Sequence, residues 1–334
     1  MKKIIPYIAV VVAMLIWAGS GIAVKEALVL FSPLTLIVLR FTVAVLLMLL
    51  IGLIFRQSDV LGLQRIDKKD IPLFMLGGLF QPFLYFIFET YTYQSFASPT
   101  IAEAMLSTQP LLAPLFALVL LRERVTRNNI IGILLSTLGM MMLLLIGSDN
   151  FALGSYWGIL LAVITVSMSV SYTVVLRRIP TRYSSLSIVF YVQSFALLLF
   201  YPLWGIMEGN ACVSTCHGWF SNSAQLWDSS MAVLYLAVFS SVTAFVLFCY
   251  TVREIGVTRA NVFNNVRPVF TAILMWLFFG EVLPIWKIIG IVLIIKDHGV
   301  EVHLQLLECL RQLGLMRLAQ GKQKTLALVL DDQL

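Results

Sequence analysis

Residues 100–135 read TIAEAMLSTQPLLAPLFALVLLRERVTRNNIIGILL, and residues 258–293 read TRANVFNNVRPVFTAILMWLFFGEVLPIWKIIGIVL. At an offset of 158 residues the two align without a gap. Thr100 falls on Thr258, Ala102 on Ala260, Pro110 on Pro268 and Glu123 on Glu281. The tetrapeptide IIGI at 130–133 falls on IIGI at 288–291. Two prolines, two glutamates and one apolar tetrapeptide at a common spacing mark an internal duplication. A weaker echo joins the starts of the two copies: Lys25 lies eight residues after Trp17, and Arg177 eight after Ser169.

Composition decides which solvent this duplicated unit meets. Of 334 residues, 60% are hydrophobic and 12% charged, and the mean hydropathy is +0.94. Soluble domains carry about 25% charged residues, so most of this chain is solvated by lipid. A bilayer core of about 30 Å takes about 20 apolar residues per helix. Suitable runs occur at 6–24, 34–55, 71–92, 98–121, 129–147, 156–176, 186–206, 231–252 and 258–279, and a tenth starts near 285. Strand-like alternation is absent, which argues against a barrel. An all-α polytopic membrane protein of ten transmembrane helices is expected. The first run follows Lys2-Lys3 and precedes Ala18-Gly19-Ser20-Gly21, as a secretory leader would. Its length reads as a retained first span.

The net charge of +6 is unevenly placed. With the N-terminus inside, the inner connections hold fourteen Lys and Arg, among them Lys68, Lys69, Arg124, Arg127, Arg178, Arg182 and Arg253. The outer connections hold Lys25 and Lys287. This positive-inside asymmetry predicts a multi-pass plasma membrane protein with a cytoplasmic N-terminus. It also explains the basic excess without a nucleic-acid partner.

Each copy then holds five spans, over 6–147 and 153–296. Five is odd, so the second copy enters the membrane upside down. The links agree. RERVTR at 122–127 is basic, whereas its mate GEVLPIWK at 280–287 has lost most of that charge; QSFASP at 94–99 has no charge, whereas its mate REIGVTR at 253–259 gains two arginines. Inverted repeats of this kind build secondary transporters, with the substrate site near the midplane where the repeats meet.

With Trp17 in LIWAGSGIAVK, Arg40 in SPLTLIVLRF, and the pairs Pro110 to Glu123 and Pro268 to Glu281, the chain resembles the drug/metabolite transporter superfamily, EamA-type. The resemblance covers about residues 6–295. It implies ten helices in two five-helix repeats. It also implies a secondary transporter, commonly an exporter, of small metabolites, amino acids or drug-like compounds, often driven by protons or another gradient. The partners implied are a small-molecule substrate, the lipid bilayer and protons; a homodimer stays open. No cofactor or metal is implied.

Charges inside spans are costly and tend to face a bundle interior or cavity. Arg40, Glu89, Glu103 and Arg267 are such charges. Gln81, Tyr85, Glu89 and Tyr93 recur every four residues and so share one helix face, which suits either a hydrated path or a hydrogen-bonded seam. On the repeat offset Glu103 matches Asn261 and Gln109 matches Arg267, and Asn264 lies one turn before Pro268. Glu89 and Glu103 are the candidate proton sites, since a desolvated carboxyl titrates nearer neutrality. Arg40 and Arg267 could pair with them or hold a substrate carboxylate. Trp17, Ser20 and Gly21 are candidate cavity residues. Glu123 and Glu281 close their spans and read as structural caps or links. Pro110 and Pro268 either free backbone carbonyls for a ligand or only kink their helices.

Cys212 and Cys216 lie in the long outer loop, where a disulfide, free thiols or a weak metal site are the alternatives. Cys249 reads as apolar filler. The only histidines, His217, His298 and His303, lie in that loop and the tail. There is no His-Glu-x-x-His, Gly-x-Ser-x-Gly or phosphate loop, so an enzyme is not expected. A non-transporting membrane sensor or accessory subunit is the alternative.

The tenth span breaks the pattern. WKIIGIVLII at 286–295 tracks the fifth span, but residues 296–305 read KDHGVEVHLQ where the first copy continues LGMMMLLLIG. Burying such charges costs about 2.5–3.5 kcal/mol each on insertion scales. The tenth helix is therefore truncated or atypical, and residues 297–334 form an atypical tail that suggests a replaced C-terminus, as from a frameshift, and an inactive copy.

Overall fold

The computed structural model describes residues 5–56, 58, 62–96, 102, 105, 106, 156–208, 223–255, 260 and 263–279. Among these residues every regular element is helical and no strand occurs. The helices are α1 (Ile5–Ala27), α2 (Pro33–Ile54), α3 (Ile71–Ser95), α4 (Tyr156–Arg178), α5 (Ser185–Met207), α6 (Gln225–Ile255) and α7 (Arg267–Phe279). The first six are long and apolar enough to cross a membrane, as a polytopic membrane protein requires.

Their outer faces carry bare apolar side chains, such as Ile8 and Leu15 on α1, Leu50 and Leu53 on α2, and Leu198 and Ile206 on α5. In water such a surface would aggregate; against acyl chains it costs nothing. The inner faces form a core around Met14, Phe41, Phe74, Phe86, Leu186 and Phe200.

Helix pairs pack antiparallel. Along α2 and α5, Trp204 Nε1 donates to Thr35 Oγ1 at 2.9 Å, and Phe41 stacks on Phe200 with centroids 5.6 Å apart. Along α1 and α6, Thr251 Oγ1 donates to the Pro6 carbonyl at 3.0 Å, and Ser229 Oγ donates to the Glu26 carbonyl at 3.2 Å. α3 lies against α4 and α5. A Cβ on Gly78 would sit 2.7 Å from the Val192 carbonyl oxygen, so this close approach needs glycine.

The starts of α2 and α5 are capped reciprocally. Ser32 and Ser184 are both extended, as N-caps are. Glu208, just after α5, accepts from the Leu34 and Thr35 N–H groups at 3.1 and 2.8 Å and from Thr35 Oγ1 at 2.9 Å. In the link after α2, Gln64 Oε1 accepts from the Ser184 N–H at 2.7 Å, and Ser187 Oγ accepts from the Gln64 N–H at 3.0 Å. The segment after each helix thus accepts from N–H groups at the start of the other, and in α5 the Ser187 N–H is met by its own cap, Ser184 Oγ, at 3.1 Å.

Two helices depart from regular α geometry in mid-span. α3 is kinked within Leu79–Leu84, where Gln81 is extended at φ −146°, ψ 113° ahead of Pro82 and joins two helical pieces. Proline disfavours helical geometry in the residue before it, so the break falls there. α6 has a π segment at Leu236–Ala244. At the 158-residue offset, Leu79–Leu84 falls on residues 237–242, inside that second segment.

Two boundaries differ from the sequence expectation. α6 runs over Gln225–Ile255, longer than 231–252. The run read as one span over 258–279 holds a 3-10 turn at Phe263–Val266, and α7 starts only at Arg267. Pro268 lacks the N–H that a continuous helix needs, but fits a first turn. The span expected at 98–121 apart from Ala102, Met105 and Leu106, the span at 129–147, the tenth span, the tail, Glu103, Pro110, Asn261, Glu123, Glu281, Cys212 and Cys216 lie outside the described residues.

At the end of the molecule where α2 leads into α3, Arg182 pairs with Asp67 at 2.6 Å and with Asp70. Tyr183 donates its hydroxyl to Asp70 Oδ2 at 2.7 Å. That hydrogen bond, then Arg182, holds the Asp70 carboxyl below the usual carboxylate range.

Candidate functional site

The middles of the helices enclose a polar pocket. Trp17 and Ser20 come from α1, Arg40 from α2, and Gln81, Tyr85, Phe86 and Glu89 from α3. Ser169, Tyr172 and Thr173 come from α4, and Ser240, Phe245 and Phe248 from α6. Asn264 and Arg267 close it from the turn before α7 and its first residue. The kink of α3 and the π segment of α6 both border this space, through Gln81 and Ser240. Widened turns recur at functional sites because they take carbonyls off the regular ladder.

Two crossings organise the pocket. Trp17 Nε1 of α1 donates to the Ser240 carbonyl of α6 at 3.2 Å. Ser169 Oγ of α4 approaches Gln81 Oε1 of α3 at 3.4 Å. Ser169 is the repeat echo of Trp17, and Ser240 falls one residue from the repeat mate of Gln81. A crossing of corresponding helices thus occurs once from each copy, onto a backbone carbonyl in one and a side-chain amide in the other.

The charges are buried. Arg40 is 2% exposed, Glu89 4% and Arg267 7%. Arg40 Nε donates to Ser241 Oγ at 2.7 Å and Nη2 to Ser240 Oγ at 3.0 Å. Its guanidinium lies 4.3 Å from the Phe86 ring centroid and 5.4 Å from that of Phe41, a cation–π geometry that offsets part of the lost hydration. Tyr85 donates its hydroxyl to Glu89 Oε1 at 2.9 Å. The Arg267 guanidinium lies 5.6 Å over Trp17, which meets Phe245 edge-on at 5.2 Å.

The pocket therefore gathers Trp17, Arg40, Gln81, Tyr85, Glu89, Asn264 and Arg267. Tyr93 departs from the stripe read along α3: it is fully buried and packs on Gly21, where a Cβ would lie 2.8 Å from its ring. Along α3 the pocket lining therefore takes in Gln81, Tyr85 and Glu89 and stops there. Gly21 packs there too and is not a lining residue. Sequence reasoning did not select Ser169, Tyr172, Thr173, Ser240, Phe86, Phe245 or Phe248. The echo of Trp17 at Ser169 was the one available signal.

Chemically, the pocket offers two guanidinium groups, one carboxylate, hydroxyl and amide donors, and an aromatic wall. These are the group types of small-molecule sites, gathered around a cavity of about 30 Å³. Among the described residues there is no group of three His, Cys, Asp or Glu able to hold a metal ion.

The EamA-like transporter family matches residues 4–145 and again residues 156–296. An uncharacterized transporter of Bacillus subtilis (strain 168), YetK, is 27% identical over 297 residues, covering 88% of this chain and 86% of that protein. A probable terminal-alkyne amino-acid exporter of Streptantibioticus cattleyicolor is 22% identical over 282 residues, covering 84% and 88%. A solved crystal structure of 22% identity shares the fold, with a TM-score of 0.61 over 90% of this chain and 96% of that one. Two family matches that together span most of the chain make it a multi-pass membrane protein and a member of the EamA-like transporter family, which is a family of transporters rather than enzymes.

Proposed function

We propose that the chain is a secondary transporter that exports small metabolites, amino acids or drug-like compounds across the plasma membrane by alternating access. Its N-terminus is cytoplasmic, and its ten helices form two inverted five-helix repeats over 6–147 and 153–296. The observation that carries this reading is the pair of matched crossings, Trp17 with Ser240 and Ser169 with Gln81, on either side of one buried charged pocket. The antiparallel pairing of α2 with α5 and their reciprocal caps support the inversion. A family match that occurs twice supports the duplication.

Glu89 is the proton site in this reading, and Arg40 and Arg267 bind anionic groups of the substrate. Glu89 suits the task because it is buried, shares the pocket with two cations and is held by a neutral phenol. A carboxyl whose charge depends on what else occupies the pocket can tie proton release to substrate entry.

The test begins with metabolites. Cells overexpressing the chain should export at least one compound that deleted cells retain. Inverted vesicles should then take up that compound saturably, with dependence on ΔpH. Saturable uptake that ignores ΔpH removes the proton coupling; no transported compound at all removes the transporter reading. The charged run Lys296-Asp297-His298, which starts where the family match ends, supports a second reading as an inactive copy. An apolar continuation in another frame after codon 295 distinguishes the two.

A further inference from the structure

The bonds around Arg40 and Ser240 reach beyond the pocket wall. Ser240 and Ser241 are consecutive residues of the α6 π segment, and both are completely buried. Three other helices hold them. Arg40 of α2 donates to both hydroxyls, at 3.0 and 2.7 Å. Trp17 of α1 donates to the Ser240 carbonyl at 3.2 Å. Gln193 of α5 donates Nε2–H to the Ser241 carbonyl at 2.6 Å.

Gln193 itself is 1% exposed and does not line the pocket. Its Oε1 finds no donor among the described residues. A buried amide with an idle oxygen is a costly way to fill space, so its N–H is the part that acts. Gln193 also lies one position beyond the residue that matches Arg40, counted from the N-caps Ser184 and Ser32. The two repeats thus send side chains from nearly equivalent places onto one Ser-Ser turn.

A widened turn takes carbonyls off the i→i+4 ladder, and buried carbonyls need other partners. Here the partners are tertiary. The shape of α6 at this point is set by α1, α2 and α5 as well as by its own ladder. One of the clamping groups, Arg40, also faces the pocket.

We propose that Gln193 and Arg40 form a clamp on Ser240–Ser241 that holds the π segment of α6, so that withdrawal of Arg40 toward anything bound in the pocket loosens α6. Gln193 is the positioning residue of this clamp and acts only through Ser241. The proposal rests on the transport reading for its use, but its test needs no substrate.

Cys249 provides the reporter. It is a free thiol on α6, two turns beyond Ser241, and is 2% exposed. In a chain with Cys212, Cys216 and Cys309 changed to Ser, alkylation of Cys249 by N-ethylmaleimide is followed in proteoliposomes by mass spectrometry. Gln193→Met keeps the volume and removes the donor; it should speed alkylation about fivefold, the factor that one lost hydrogen bond supplies. Arg40→Met should do the same or more, and the double variant should fall short of the product of the two. Gln193→His keeps an N–H and should return the rate toward that of the unmodified chain. A cysteine at Ala44, fully buried on α2, should stay unreactive throughout. Unchanged Cys249 alkylation in Gln193→Met overturns the clamp, and so does equal acceleration at Ala44→Cys, which means general loosening. Failure of the transport reading would instead show as absent export with these rates intact.

Discussion

α3 and α6 depart from the regular helical ladder at matching places of the repeat, α3 by a kink and α6 by a π segment, and by different chemistry. α3 uses Pro82 and an extended Gln81. α6 has no proline there and relies on Ser240 and Ser241, gripped by side chains from three other helices. Beyond the irregular turn α3 presents Tyr85 and Glu89 to the pocket, whereas α6 presents Phe245 and Phe248. The irregular turns coincide in the two copies, and each is met there by the first helix of the other copy. The carboxylate belongs to α3 alone, while the pocket's two guanidinium groups come one from each copy, Arg40 from the first and Arg267 from the second.

This contrast can be broken in several places. The largest expected effect on stability is at Gly78, where α3 lies almost on the backbone of α5. Gly78→Ala should cost about 1–3 kcal/mol through overpacking, read as an earlier thermal unfolding in detergent. The repeat mate on α6 is Leu236, fully buried, so the α6 side tolerates bulk where α3 does not. An unaffected Gly78→Ala would mean that the two sides are less different than they look.

The crossings come next. Trp17→Phe removes the donor to the Ser240 carbonyl and should cost about 1–2 kcal/mol. Ser169→Ala removes only a 3.4 Å contact to Gln81 and should cost a few tenths at most, roughly 0.3 kcal/mol. Equal losses would contradict the unequal geometry of the two crossings.

The smallest effect is set by pH at the α2–α3 link. The Asp70 carboxyl is held below its ordinary range by the Tyr183 hydroxyl and then by Arg182. A depressed carboxylate stabilises the fold above its unfolded pKa of about 4, and that contribution fades as pH falls through the lower folded value. Melting temperatures followed from pH 6 down to pH 3 should therefore fall more for the unmodified chain than for Asp70→Asn. Parallel curves would mean that the Tyr183 bond does not form in solution.

Much of this frame was legible in the sequence, for a physical reason. Lipid imposes one rule on a spanning helix, so α1, α2, α4 and α5 emerge within three residues of the apolar runs. Arg40, Glu89 and Arg267 stand out because a charge in such a run needs a reason. The remaining pocket residues do not stand out. Serines and phenylalanines are ordinary content of an apolar helix, and only the crossings select Ser240 from Ser229, or Phe248 from the lipid-facing Phe239. Gln193 was hidden likewise: its role depends on a carbonyl 48 residues away. The start of α7 was missed because hydropathy does not see a 3-10 turn through Asn264 and Asn265.

The central claim, that transport runs through this pocket with Glu89 as the proton site, is tested most directly by Glu89→Gln. Uptake of the exported compound into inverted vesicles is measured with and without an imposed ΔpH, at matched membrane expression. The account predicts that the unmodified chain responds to ΔpH and that Glu89→Gln loses uptake or its dependence on ΔpH. Normal, ΔpH-dependent uptake by Glu89→Gln would contradict it.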